Sequence, residues 1–405
     1  MLLLLADFLR EALGWKIPLA FLYFSTRMIL AAATALLLTI FLGPRFIKKL
    51  YEWKIGQSIR GMDECPVLAE LHGKKKDTPT MGGVLILFSM GVSLFLWMDL
   101  TNVFTWILLL TSLLLGFLGA ADDYLKLRYK NSKGLKARKK MAIQILFSAA
   151  LAIYLLCPSI TETLSGKKYF RAPTAKEHVH GAQGKNATVS LTTAEYMARF
   201  YVPFFKEPVV FLDGWLRVLT FLLIIFVITG TSNAVNLTDG LDGLAAGCLV
   251  MVSLVLGLFA FLSNNIDLAR YLNILYIEGS GEIAVYLFAL AGACLGFLWY
   301  NGYPAQIFMG DTGSLALGGI IGVASVLLRR EVLLAIAGAI FVLEALSVIL
   351  QVISYRYRNK KRIFLCAPLH HHFEYKGWPE TKVVVRFWIV SLLFAILSVA
   401  TLKFQ

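Results

Sequence analysis

The sequence predicts an all-α protein of about ten membrane-spanning helices, and three observations carry that prediction. Of 405 residues, 58% are hydrophobic and only 16% are charged. That is too little polar surface for a soluble protein of this size, so lipid is the solvent for most of the chain. The apolar residues also come in long blocks instead of strand-like alternation, as in 106–119 and 383–402. The basic residues, finally, gather in three loops between such blocks.

A span needs roughly 20 mostly apolar residues. On that length the candidates run near 21–43, 80–99, 103–121, 141–157, 215–232, 243–262, 283–300, 314–328, 332–354 and 383–402. The eighth is short and starts on polar residues. Arg27 and Arg386 fall near the ends of their spans, where a long basic side chain can snorkel to the interface. The first apolar stretch, 1–6, is too short for a signal sequence and runs into Asp7, Arg10 and Glu11, so no cleaved leader is expected. One integral-membrane domain over 1–405 is the simplest organisation, with one long insertion at about 158–212. That insertion contains Pro158, Pro173, Pro203 and Pro208, and its aromatic-rich part near 197–205 suggests a short hairpin or interfacial helix.

Net charge is +14, which on its own would suit a nucleic-acid partner. Its distribution argues against one. The first basic loop holds Arg45, Lys48, Lys49, Lys54, Arg60 and Lys74 to Lys76. The second holds Lys126, Arg128, Lys130, Lys133, Lys136 and Arg138 to Lys140, and the third Arg356, Arg358, Lys360 to Arg362, Lys376 and Lys382. They follow spans one, three and nine, so the positive-inside rule puts the odd-numbered spans' ends in the cytoplasm and both termini outside. The insertion is then external. Arg329 and Arg330 fall on the wrong side but are outweighed by the three clusters. The five cysteines have no paired spacing, and neither a disulfide framework nor a zinc site follows from them.

The polar motifs follow the same topology. Asp122 and Asp123 close the third span, Asn236, Asp239 and Asp242 follow the fifth, Asn301 to Ser314 with Asp311 follow the seventh, and His370 to His372 follow the ninth. Lys and Arg alone therefore place every one of them on one face. Carboxylates with little sulfur nearby suit a hard cation such as Mg²⁺, which takes one or two carboxylates plus phosphate oxygens. Gly240, Gly243, Gly310 and Gly313 allow close backbone approach to a ligand, and Lys75, Lys126 and Lys133 can offset phosphate charge. Acids, cation and lysines together are what phosphoryl transfer requires.

Each element has a structural alternative. Asp122 and Asp123 could be a helix-end pair bonded to lysines. Asp239 or Asp242 could cap the sixth span, and Asp311 the eighth. Three consecutive histidines cannot easily converge on one ion, so they fit a phosphate or sugar contact with one of them packed for structure. Glu344, inside the ninth span, reads as a partner within the bundle and not as catalytic. Walker A, Rossmann and zinc-protease patterns are absent.

The motifs Thr78-Pro79-Thr80-Met81-Gly82-Gly83, Asp122-Asp123-Tyr124 and Asn233 to Gly243 resemble those of the phospho-N-acetylmuramoyl-pentapeptide transferase family, as do Pro304 to Asp311, Ala367 to His372 and Gly377 to Glu380. The resemblance runs along nearly the whole chain. It implies a Mg²⁺-dependent enzyme of the bacterial inner membrane, usually a homodimer, with its site facing the cytoplasm. The implied substrates are UDP-N-acetylmuramoyl-pentapeptide and undecaprenyl phosphate, and the products lipid I and UMP. It also implies Asp311 as the Mg²⁺ ligand, Asp122 as a base, and Asp123 beside them in the catalytic set. Lys75, Asn236, Asp239, Asp242, Asn301, Phe308, Ser314 and His370 to His372 match positions lining the nucleotide and active-site cleft. Two departures stand out: the 158–212 connection is long for the family, and Asp77 stands where many members have Gly. A related transferase acting on a UDP-N-acetylhexosamine without peptide is the nearest rival, and the Pro368 to His372 run argues against it. A transporter with midplane acids is the rival from another class, but acids gathered at one face do not suit alternating access.

Overall fold

The computed structural model describes residues 23–53, 78–129, 134–166, 170–180, 186–205 and 207–402, with the single residues 2, 12 and 21. Lys75, Asp77 and Lys133 lie outside the described residues. In chain order the helices are α1 (Phe24–Glu52), α2 (Gly82–Trp97), α3 (Val103–Arg128), α4 (Ala137–Leu156), α5 (Pro158–Leu164), α6 (Thr193–Met197), α7 (Arg217–Thr238) and α8 (Leu244–Ser263). They continue as α9 (Ile266–Tyr271), α10 (Gly281–Asn301), α11 (Gly310–Leu327), α12 (Glu331–Ala337), α13 (Ala339–Tyr357), α14 (Leu369–Tyr375) and α15 (Glu380–Ala400). Long apolar segments take this form because in lipid a helix satisfies its own backbone polar groups.

Among the described residues nine helices are long and apolar enough to cross a membrane, and α2, with 16 residues, is a tenth apolar helix. The predicted spans correspond to α1–α4, α7, α8, α10, α11, the α12–α13 pair and α15. The chain is an all-α polytopic membrane protein. The most enclosed spans are α8, α10 and α11, with 78%, 78% and 89% of their apolar windows buried, while α1, α4, α13 and α15 are each 33% buried and form the rim.

Two boundaries differ from expectation. The eighth span starts earlier, at Gly310, so Asp311 sits inside the first helical turn instead of capping it. The ninth is broken at Gly338, where the backbone leaves helical geometry at φ −93° and ψ 25°. A Cβ there would come within 2.9 Å of the Leu334 carbonyl oxygen, so glycine permits the break.

Successive spans run antiparallel. The C-termini of α3, α7 and α10 therefore meet the N-termini of α4, α8, α11 and α15 at one end, here the acid end. The insertion folds at the opposite end. Its strands β1 (Ala175–His180) and β2 (Asn186–Leu191) form an antiparallel hairpin ahead of the aromatic-rich stretch, while β3 (Arg199–Phe200), within that stretch, pairs with β4 (Val210–Phe211). A short strand β5 (Tyr276–Ile277), from the next connection at that end, extends the sheet in the order β2–β1–β5.

The fold corrects one arginine and accounts for two others. Arg27 does not snorkel. It is 3% exposed, with Nη2 2.7 Å from Glu282 and Nη1 donating to the Trp97 carbonyl. Arg329 and Arg330, on the wrong side for a topology signal, are buried. Arg329 donates from Nε and Nη2 to the Arg199 carbonyl and pairs with Glu331. The Arg330 guanidinium lies over the rings of Tyr201 and Phe259, at 5.6 and 5.4 Å. Both fasten the insertion to the bundle, where Tyr196 and Met197 are fully buried.

Candidate active site

The last turns of α3 carry Asp122, Asp123 and Lys126, the first and last on one helix face by their i, i+4 spacing. Gly119, one turn earlier, lets α3 touch α11. A Cβ there would fall 2.2 Å from the Asp311 carbonyl oxygen, so any larger residue would separate the two groups of acids. Gly310 opens α11 at φ +73°, and a Cβ on it would meet Asp123 Oδ2 at 2.7 Å.

Asp123 uses this closeness to cap the start of α11. Its carboxylate accepts from the Asp311 N–H (3.1 Å), the Thr312 N–H (2.9 Å) and the Thr312 hydroxyl (2.7 Å). Those amides belong to the first turn of α11, which has no partner within its own helix. The capping role that the sequence allows for Asp311 is thus supplied from another helix.

Asp122 and Asp311 are left to two lysines. Lys126 Nζ lies 2.7 Å from Asp122 Oδ2 and 3.0 Å from Asp311 Oδ2, and Lys140 Nζ lies 3.1 and 2.6 Å from the same two atoms. Asp122 Oδ1 accepts from the Leu135 N–H at 2.7 Å. Asn236 on α7 donates to Asp311 Oδ1 and to the Ser314 hydroxyl, both at 2.8 Å. Four candidates from the sequence, Lys126, Asn236, Asp311 and Ser314, therefore converge with Asp122 at one point.

Lys140 is a member that sequence reasoning assigned to topology alone. The available signal was position: it is the last basic residue before the apolar run of α4, one turn ahead of Gln144. Gln144 is 1% exposed, donates to Ser232 and accepts from Asn233, while Ser232 donates to the Leu315 carbonyl. That chain fixes α4 against α7 and α11 and so places Lys140.

Oxygens of Asp122, Asp123 and Asp311 lie within 4.8 Å of one another, a spacing that fits a metal ion. The donors are hard and oxygen-only, as Mg²⁺ prefers. Asp123 has both oxygens committed to α11, so Asp311 and Asp122 are the groups with an oxygen to give, and the lysine ammonium groups now supply the positive charge between them. Asp239, half-buried beyond the end of α7, is pushed up to about 8 by burial and by the charges of Asp311 and Asp123. Crowded carboxylates of this kind are relieved by a cation.

Other predicted residues shape the surroundings. Neither Asp239 nor Asp242 caps α8, whose N-cap is Gly243 at φ +78°. Asp242 accepts from the Ala305 N–H at 3.0 Å, and Asn301 joins the Gly243 N–H to the Ile307 carbonyl. Both stitch the 239–243 and 302–309 loops together and are buried. Phe308 exchanges backbone bonds with Pro79 and Gly82, tying the Thr78 to Gly83 motif to the start of α11. The histidines diverge. His370 is fully buried, with Nδ1 3.2 Å from Glu344, the partner that Glu344 was expected to have within the bundle. His371 Nδ1 lies 2.7 Å from Glu374, and His372 Nδ1 accepts from the Leu365 N–H. His372 lies below the usual imidazole value because of burial and the nearby Lys376.

The comparisons with known proteins fall on these same segments. Residues 105–329 match the model of glycosyl transferase family 4, and 75–87 match signature 1 of phospho-N-acetylmuramoyl-pentapeptide-transferase. A curated protein of that name from Protochlamydia amoebophila is 64% identical over 100% of both chains. Proteins of the same name from Desulfotalea psychrophila and Methylacidiphilum infernorum are 46% and 45% identical, each over 95% of both chains. The chain belongs to the phospho-N-acetylmuramoyl-pentapeptide-transferase family.

Proposed function

We propose that the chain transfers phospho-N-acetylmuramoyl-pentapeptide from its UDP derivative to undecaprenyl phosphate, giving lipid I and UMP in peptidoglycan synthesis. The observation that carries this is the cluster of Asp122, Asp311, Lys126 and Lys140, set in a chain alike from end to end to a protein named for that transfer. Mg²⁺ held by Asp311, with Asp122 beside it, would neutralise diphosphate oxygens and stabilise the charge on the departing phosphate.

The chain's own groups prepare that site. Asn236 occupies Asp311 Oδ1 and leaves Oδ2 as the oxygen shared with the lysines. Lys126 and Lys140 are placed to move from carboxylate to substrate phosphate, which exchanges one anionic partner for another. Asp123 holds the first turn of α11, so its role is positioning. Asp122 can act as a base only when a lysine leaves its Oδ2; otherwise it orients the lipid phosphate. Asp239, Phe308, His371 and His372 stand at half-buried positions suited to the nucleotide and sugar, Ser314 is buried on α11 where it accepts from Asn236, and Asp242, Asn301 and His370 shape the wall behind them. Lys75 and Lys133 would add positive charge for the substrate phosphates.

The acid end would face the cytoplasm of a bacterial inner membrane, with both termini and the 158–212 insertion external. The basic ends of α1, α3, α13 and α14 all lie at that end, in support of this orientation. The whole chain acts as one domain, and the family resemblance suggests a homodimer. Purified protein given radiolabelled UDP-N-acetylmuramoyl-pentapeptide, undecaprenyl phosphate and Mg²⁺ should form labelled lipid and UMP in equal amounts. Turnover of a UDP-N-acetylhexosamine in its place, with none of the peptide substrate, would overturn the assignment.

A further inference from the structure

An apolar cleft lies between α13, α14 and α15. It is a cavity of about 290 Å³ walled by Ile340, Leu343, Phe373, Phe387 and Val390, with Trp378 and Arg386 in its lining. The transfer centre is built on α3, α4, α7 and α11, none of which lines this cavity.

Its mouth is basic. The Arg386 guanidinium lies 4.2 Å from the Trp378 ring centre and Lys382 Nζ lies 5.3 Å from it, while Lys376 sits 5.9 Å from Phe373. Phe373 and Trp378 are themselves stacked, with centroids 4.7 Å apart, so the three cations surround one aromatic pair. All three are exposed, and among the described residues none pairs with a carboxylate. The charges occupy the first two turns of α15 and the loop before it, while Phe387 and Val390 lie further along the helix. Charge at the acid end and apolar depth behind it match an amphiphile with an anionic head.

We propose that this cleft binds one anionic phospholipid of the surrounding membrane, with an acyl chain in the cavity and its phosphate on Arg386 and Lys382. In a bilayer an apolar cleft alone selects nothing, because any acyl chain fills it equally well. Selectivity comes from the cations at head-group depth. The bound chain also packs on Leu369 and Phe373, which share α14 with His370 to His372, so the lipid braces the segment carrying the histidines.

The test is native mass spectrometry of the detergent-purified full chain, titrated with phosphatidylglycerol or phosphatidylcholine of identical acyl chains. Phosphatidylglycerol should bind tighter by about tenfold or more, and Arg386→Gln with Lys382→Gln should remove that preference. Leu343→Trp, which fills the cavity and keeps the charges, should weaken both lipids. Glycerol phosphate should not compete, since it lacks the chain. Equal binding of the two lipids by the native protein, or an unchanged preference in the double variant, would overturn the proposal. So would a rise in KM for undecaprenyl phosphate in both variants with phospholipid binding unaffected, which would assign the cleft to the substrate lipid.

Discussion

At the hairpin end of the bundle, Arg329 is fully buried and pairs with Glu331 and the Arg199 carbonyl, and Arg27 closes on Glu282. At the acid end, the Asp311, Lys140 and Lys126 side chains keep 14%, 15% and 28% of their surface, and two lysines bridge the same two carboxylates with Asp123 and Asp239 crowded beside them. Both ends bury charge in a membrane protein, where it is costly. One end pairs Arg329 with Glu331 and Arg27 with Glu282 inside the fold and gains an anchor for the 158–212 insertion. The other leaves partners that can be exchanged, which is what a substrate carrying phosphate requires.

The largest expected effect would break the anchored end. Arg329→Met leaves Glu331 buried beside one fewer cation and removes two bonds to the insertion, so unfolding stability should fall by about 3–5 kcal/mol. Activity per folded molecule, measured after thermal-shift correction, should stay within about twofold, because no atom of the transfer centre moves. Loss of turnover at full stability would erase the distinction between the ends.

Next in size is the exchangeable end. Removing both ammonium groups with Lys126→Ala and Lys140→Ala should lower kcat by about 10²- to 10³-fold, the scale for losing a charge-stabilising donor. The two single losses should not add, since both lysines hold the same two oxygens. A Lys140→Ala enzyme with native kcat would remove that residue from the site.

A smaller effect sharpens how the centre is held. Gln144→Leu breaks the link from α4 to Ser232 and Asn233 and should reduce kcat by roughly tenfold while KM changes little, as expected when a group is slightly misplaced. Gln144→Glu, which keeps an acceptor for Asn233, should recover part of the loss. A KM defect alone would mean that the link serves binding.

The smallest lies in the insertion, where Thr192 and Glu195 form a capping box on α6. Backbone and hydroxyl bonds from Thr192 hold Glu195 below its ordinary value. That contribution is complete above the unfolded value of about 4.3 and is lost as pH falls through the lowered folded value. Glu195→Gln should cost roughly 0.5–1 kcal/mol at neutral pH, and the difference should shrink under acid. An equal difference at all pH values would exclude the carboxylate.

Much of this contrast is legible in the sequence. Hydropathy marks the nine long apolar helices and the shorter α2 among the described residues, because lipid imposes a helix wherever an apolar run is long enough. The spacing of acids between spans collects them at one end, because antiparallel connection leaves no alternative. Pairings between distant positions are not legible. Nothing near Asp123 says that it caps α11, nor does the Arg329-Arg330 pair name Arg199 and Tyr201 as its partners. Lys140 is hidden among neighbouring basic residues until Gln144 is seen to orient its helix. The break at Gly338 is invisible for another reason: the hydropathy continues unbroken through it.

The most direct test of the central claim is a Mg²⁺ titration of transfer activity in Asp311→Asn beside the native enzyme, both shown to be folded by thermal shift. The substitution keeps the side chain's shape and its contact with Asn236 while removing the charge at Oδ2. Activity should fall by about 10²-fold or more and recover only in part as Mg²⁺ is raised. Full activity with an unchanged Mg²⁺ dependence would contradict Asp311 as the charge on which the transfer centre is built.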